Sequence, residues 1–133
     1  MQRSLVVLFV GGALLLLAPR AYAHHSFAAT YLEDQSVTLE GELTQFLFRN
    51  PHSFVHLMVK EKDGSMVEYS IEWGGTGQLG GQGITRETLR VGDHVVITGS
   101  PGRTAADHRV RMLRLRRPKD GFGWGLKAGE VTD

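Results

Sequence analysis

Two consecutive histidines, His24 and His25, are the best candidates in this sequence for a chemical role. If the chain is cut directly before His24, this residue gains a free α-amine, and the amine can chelate one metal ion together with its own imidazole. His25 offers a second mode, through the amine, the intervening amide and its imidazole. Nitrogen-rich sites favour Cu(II) over Zn(II) and Ni(II). The pair therefore predicts a copper site at a processed N-terminus.

The segment before His24 has the three parts of a secretory signal peptide. It has an early positive charge at Arg3, an apolar run over residues 5–17 and the small-residue triplet Ala21-Tyr22-Ala23. The apolar run has thirteen residues, which is short of the roughly 20 that cross a bilayer as a helix. We therefore predict a signal peptide over residues 1–23, cleavage near Ala23 and a periplasmic or secreted protein with no transmembrane span after cleavage.

A third histidine from the folded domain would complete such a site, and His52 is the favoured candidate. Pro51 restricts the backbone directly before it, at a predicted turn. His56 lies about 13 Å further along an extended chain, too far for both rings to bind one ion. The set of His24, His25 and His52 resembles the histidine brace of copper monooxygenases and of some periplasmic copper carriers. The alternative is a frayed terminus, with His52 bonded to a carbonyl of its own turn.

Basic residues cluster towards the C-terminal end of the chain, where seven Arg and Lys between residues 103 and 119 are opposed by Asp107 alone. Such a cluster indicates an anionic envelope ligand or an acidic membrane-associated protein. The predicted export argues against nucleic acid. The candidate ligand-binding residues are Arg109, Arg111, Arg114 and Arg116. The alternative is cross-strand neutralisation of these charges. The carboxylates in position for it are Glu40, Glu42, Glu68 and Glu72.

The sequence offers little support for catalysis. It contains no Cys, which excludes disulfides, Cys-ligated zinc, iron–sulfur clusters and thiol catalysis. No G-x-S-x-G, H-E-x-x-H or phosphate-loop motif is present. Alternating Glu residues on a strand are more typical of a solvent-facing side than of acid–base chemistry. We therefore favour a binding protein over an enzyme, and a copper oxygenase stays open as an alternative.

The elements that must position these residues are β-strands, because apolar and polar residues alternate with a period of two through most of the chain. The predicted strands cover residues 37–47, 54–60, 66–73, 94–98 and 109–116. Gly41 is a candidate bend or bulge in the first strand. The last strand changes the side of its apolar residues partway, which predicts a bulge or a twisted edge there. Six glycines between residues 74 and 83 predict a loop, and residues 85–89 predict a short helix or turn.

This pattern predicts an all-β fold, a small five-stranded Greek-key barrel of the oligonucleotide/oligosaccharide-binding (OB) type with a short helix or turn between strands 3 and 4. The barrel and its N-terminal arm are expected over residues 24–118, followed by a flexible Gly-rich tail over residues 119–133. A β-sandwich fragment or a half-open β-roll is the competing architecture.

Several short motifs resemble an uncharacterised family of small exported bacterial proteins, classed as a domain of unknown function. The motifs are His24–Ala28, Asn50–His52, Gly83–Arg86 and Gly92-Asp93. The resemblance covers nearly all of the predicted exported chain and implies no activity. It implies that the histidine start and the Asn-Pro-His turn recur as family motifs, which makes them the places to look for chemistry.

Overall fold

The computed structural model describes residues 27–125 of the chain. This part contains six β-strands and two short helices, joined by turns and loops. The strands are β1 (Val37–Leu47), β2 (Phe54–Lys60), β3 (Met66–Glu72), β4 (His94–Pro101), β5 (Arg109–Arg117) and β6 (Phe122–Trp124). The helices are α1 (Phe27–Thr30) and α2 (Thr76–Gly81), and a 3-10 turn covers Ala105–Asp107.

Strands β1 to β5 close into a barrel. β1 pairs antiparallel with β2 and β4, β2 pairs with β3, and β4 pairs with β5. Parallel pairing of Ser70–Glu72 in β3 with Arg109–Arg111 in β5 closes the ring. The predicted five-stranded, OB-like Greek-key barrel is thereby confirmed, including a short helix between the third and fourth strands.

That helix, α2, begins earlier than the sequence predicts. The glycine content of residues 74–83 favours a loop because glycine loses much conformational entropy in a helix, yet Thr76–Gly81 is helical and residues 85–89 form turns. Leu79 is fully buried in the core, and burying a leucine side chain contributes about 1.5–3 kcal/mol. Tertiary burial of this one side chain therefore offsets the poor intrinsic propensity of its neighbours.

A bulge in β1 determines which of its last residues face the core. The pairing with β2 shifts register between Leu43 and Gln45, so that Phe46 packs against the core cluster. Unbroken alternation predicts Leu47 on that side. The bulge thus lies at Thr44 and not at Gly41, which is in regular register with β2.

A second bulge lies in β5, as the change of side in the sequence predicts. Thr98 of β4 pairs with Arg114 while the next residue, Gly99, pairs with Met112. Leu113 is left over between them and is 44% exposed, whereas Met112 is buried. The predicted irregularity in the last barrel strand is confirmed.

Gly41 is required for a different reason, the close approach of β1 to β2. A Cβ at this position would lie 2.1 Å from the carbonyl oxygen of Met58, and that backbone is held in the sheet. We expect Gly41→Ala to lower the free energy of unfolding by about 2–3 kcal/mol. The control is Gly77→Ala in α2, where a Cβ meets no atom within 4 Å, and its expected effect is a gain of up to about 1 kcal/mol. Equal urea midpoints for the two variants would contradict the clash.

Strand β6 lies within the stretch that the sequence assigns to a flexible tail. Residues Phe122–Trp124 pair antiparallel with the end of β5, so this part of the tail extends the sheet. The ring of Trp124 packs edge-on against Trp73 with centroids 5.1 Å apart, and its indole N–H donates to Gln82 Oε1 at 2.8 Å. The aromatic contact and this bond hold the segment against the barrel, although its glycine content predicts a flexible tail.

The remaining predicted segments lie outside the described residues. These are residues 126–133 of the predicted tail, and residues 1–26, which contain the predicted signal peptide together with His24 and His25. Between residues 27 and 125, no helix is both long enough and apolar enough to cross a membrane.

Candidate functional site

A buried carboxylate, Glu72, lies at the centre of the candidate site. This last residue of β3 is 7% exposed. Its Oε1 accepts a hydrogen bond from His52 Nδ1, and its Oε2 accepts one from the Tyr31 hydroxyl. Arg109 Nη2 lies 3.4 Å from the same Oε2. Three donors from three separate parts of the chain therefore satisfy the carboxylate, as a buried charge requires.

Backbone hydrogen bonds place His52 beside Glu72. The residue after His52, Ser53, is fully buried and bonds to the chain directly after β3. Its N–H donates to the Gly74 carbonyl at 3.0 Å, and its carbonyl accepts from the Trp73 N–H at 2.8 Å. The loop between β1 and β2 is thus attached to the end of β3, which places His52 next to Glu72.

The loop between β4 and β5 holds Tyr31 in position. Tyr31 forms a β-bridge with Gly102, and the Arg103 N–H donates to the Thr30 carbonyl at 2.9 Å. The guanidinium of Arg103 also donates to the Ala28 carbonyl at 2.7 Å. The N-terminal arm, with α1, is therefore tied across the end of the barrel where β3 meets β5.

The sequence pattern places Glu72 on the solvent-facing side of β3, together with Glu68 and Ser70, and this prediction is wrong for Glu72. The alternation ends here because Tyr31 covers the outer side of the strand, so that Ile71, Glu72 and Trp73 are all buried. Sequence reasoning also missed Tyr31 as a member of the site. The sequence signal for the burial of Glu72 is its position between two large apolar residues, Ile71 and Trp73, at the end of a strand. A local pattern cannot distinguish such a carboxylate from an exposed one.

Burial and the hydrogen bond to Glu72 raise the pKa of the Tyr31 phenol well above its usual value. The phenol therefore stays protonated throughout the physiological range and remains a donor to Glu72.

His52 is held with one nitrogen towards the protein and the other available for a ligand. Because Nδ1 donates to Glu72, the neutral ring carries its lone pair on Nε2. Among residues 27–125 nothing forms a hydrogen bond to Nε2, and the side chain is 34% exposed. A carboxylate that orients a histidine in this way is the usual support for a metal-binding imidazole, and it also suits a general base.

Phe27, the first described residue, contacts His52 directly. The two rings stack with centroids 5.7 Å apart and an interplanar angle of 26°. The guanidinium carbon of Arg111 lies 3.7 Å from the centroid of the Phe27 ring, and Arg111 also pairs with Glu33 at 2.7 Å. The described part of the chain therefore begins beside the imidazole of His52.

Two pockets flank this stack and share Phe27, His52 and Glu72 as walls. The first has a volume of about 240 Å³. Its other lining residues are Trp73, Gly74, Gln78, Arg111, Met112 and Trp124. The second has a volume of about 360 Å³ and is lined in addition by Thr30, Tyr31, Pro51 and Arg109.

Of the histidines predicted to bind metal, His52 is in this site, while His24 and His25 lie outside the described residues. Within residues 27–125, no three His, Asp or Glu side chains are grouped in a way that would hold a metal ion. His56 and His94 are directed to other partners, Glu68 at 3.6 Å and Glu40 at 2.8 Å.

The arginines of β5 have partners inside the protein. Arg109 pairs with Glu72 and Arg111 with Glu33, and Arg114 and Arg116 also make interactions. Glu72 is one of the alternating strand glutamates that the sequence offers as partners, whereas Glu33 is not. Of the two ion pairs described for these arginines, the pair of Arg109 with Glu72 is therefore the one that fits cross-strand neutralisation. Arg111 forms an ion pair and also lines the pocket beside α2.

Comparison with known proteins agrees with the resemblance to an uncharacterised family. No curated protein matches this chain. A protein family described as a family of unknown function (DUF6152) matches residues 13–111, a range that includes Tyr31, His52, Glu72 and Arg109. Because the match covers most of the 133 residues, the chain belongs to this family of unknown function.

Proposed function

We propose that this protein is an exported β-barrel binding protein that holds Cu(II) between His52 and the N-terminal His24 and His25. The observation that carries the proposal is the stacking of Phe27 on His52. It places the start of the described chain beside an imidazole whose Nδ1 already bonds to a buried carboxylate.

The length of the intervening chain supports the proposal. Three residues separate the α-amine of a processed His24 from Phe27, and three extended residues span at most roughly 10 Å. Phe27 and His52 are in ring contact at 5.7 Å between centroids. A chelate at the terminus therefore lies no further than roughly 10 Å along the chain from the residue that stacks on His52.

The donor set suits copper. Two imidazoles and an amine at the terminus, with His52, make a nitrogen-rich set that favours Cu(II). Glu72 would serve as the orienting carboxylate behind His52, and Tyr31 and Arg109 hold that carboxylate in place. These roles fit a copper carrier or sensor in the periplasm or outside the cell.

The test is a Cu(II) titration followed by electron paramagnetic resonance on protein processed by its own leader, with intact mass confirming a start at His24. We expect one tight site per chain with a nitrogen-dominated spectrum. A second protein carries Gly-Ser-Gly-Ser before His24, which moves both terminal histidines beyond the first three positions. Its affinity should fall about 100-fold or more because the chelating amine is lost.

Two outcomes would overturn the proposal. Equal affinities of the processed and the extended protein would exclude a site at the terminus. An affinity of the processed protein no higher than that of a free peptide of residues 24–28 would show that the barrel contributes nothing to binding.

A further inference from the structure

The pocket between β5, β6 and α2 has the features of a small-molecule site, and His52 forms part of its wall. It has a volume of about 240 Å³, below the usual range of about 300–1,000 Å³ for sites of drug-sized ligands. We propose that this pocket binds a small aromatic carboxylate, with the ring between the apolar walls and the carboxylate at Arg111.

The walls are aromatic and held in place. Trp73 and Trp124 meet edge to face at 5.1 Å, and Trp124 is fixed by its bond to Gln82 at 2.8 Å. Phe27 and Met112 contribute further apolar surface. A single aromatic ring gains both apolar burial and favourable ring contacts against such walls, whereas a nucleotide-sized molecule exceeds the volume.

Arg111 supplies the charge that selects a carboxylate. A guanidinium has five N–H donors, and Glu33 engages Nη1 of Arg111 at 2.7 Å from outside the pocket. The carboxylate that does line the pocket, Glu72, already accepts from His52, Tyr31 and Arg109. The pocket therefore presents donors, and the ligand has to bring the acceptors.

The test uses tryptophan fluorescence of the metal-free protein in the presence of a chelator, so its result is independent of copper binding. Trp73 and Trp124 are the two tryptophans of the chain, and both line the pocket. We expect saturable quenching by benzoate. The neutral isostere benzamide should bind about tenfold more weakly, because it lacks the charge-assisted bonds to Arg111.

Three variants distinguish this site from non-specific quenching. Arg111→Gln should weaken benzoate binding about tenfold, while Arg90→Gln, an equal loss of charge at an exposed position outside the pocket, should leave it unchanged. Glu33→Gln removes the competing carboxylate and should strengthen binding severalfold, a result that remains informative if Arg111→Gln does not fold. Quenching that does not saturate, equal binding of benzoate and benzamide, or weaker binding by Glu33→Gln would overturn the proposal.

Discussion

Replacing Glu72 with alanine should lower the free energy of unfolding by about 3–4 kcal/mol, the largest effect on stability that we expect from a single side chain of this protein. The change removes the acceptor for His52, Tyr31 and Arg109 at once. Tyr31 is almost fully buried, so its hydroxyl loses the partner that satisfies it in the folded protein. Urea denaturation monitored by circular dichroism measures the loss.

The matched control is Glu68→Ala on the same strand. The Glu68 side chain is 49% exposed and bonds to Thr44 at 2.9 Å, and such surface interactions contribute about 0–1 kcal/mol. A double-mutant cycle of Glu72→Ala with Tyr31→Phe should be strongly non-additive, because both changes break the same bond. Equal losses for Glu68→Ala and Glu72→Ala would show that Glu72 is not an anchor of the fold.

His52→Ala should lower the affinity for Cu(II) by about 100-fold, while a site at the processed terminus alone persists. The physical reason is that, in the proposed site, His52 is the ligand from the barrel, and its ring is already oriented by Glu72 and stacked on Phe27. The spectrum should lose one nitrogen ligand. Competition with a chelator of known affinity gives the change in the dissociation constant.

His94→Ala is the control, because it removes a histidine that lies outside the proposed copper site. His94 bonds to Glu40 at 2.8 Å on the surface of β1 and β4, and its removal should leave the affinity unchanged. If His52→Ala and His94→Ala bind Cu(II) equally tightly, His52 is not a ligand. In that case the proposed copper site between His52 and the terminus is wrong.

The barrel could be predicted because the pattern that indicates its strands lies in neighbouring residues of the sequence. Side chains of a strand alternate between two sides with a period of two, so the sequence reveals which residues of each strand face the core and where a bulge must change that side. The bulge at Leu113 is such a case. The bulge at Thr44 left no comparable signal, because both Phe46 and Leu47 are apolar and either one satisfies the pattern.

The candidate site was predictable in part. Pro51 and the turn chemistry indicated His52, and the alternation placed Glu72 among the carboxylates that could neutralise the arginines of β5. No feature of the sequence indicated that Glu72 is buried or that Tyr31 bonds to it. Glu72 lies on the polar side of β3 in the pattern, and Tyr31 is 41 residues away from it in sequence. Their contact exists because β3 and β5 pair at the end of the barrel and the N-terminal arm is tied over that end.

By itself, the sequence determined the strand pattern, the barrel class and the residue types available for chemistry, because these depend on local alternation, turns and composition. Only the tertiary structure decided that Glu72 is buried and that Phe27 stacks on His52. It also decided that a glycine-rich segment forms α2 around Leu79. The physical reason is that covering a polar group, or burying one leucine, depends on which distant segments meet, and no local pattern encodes that meeting.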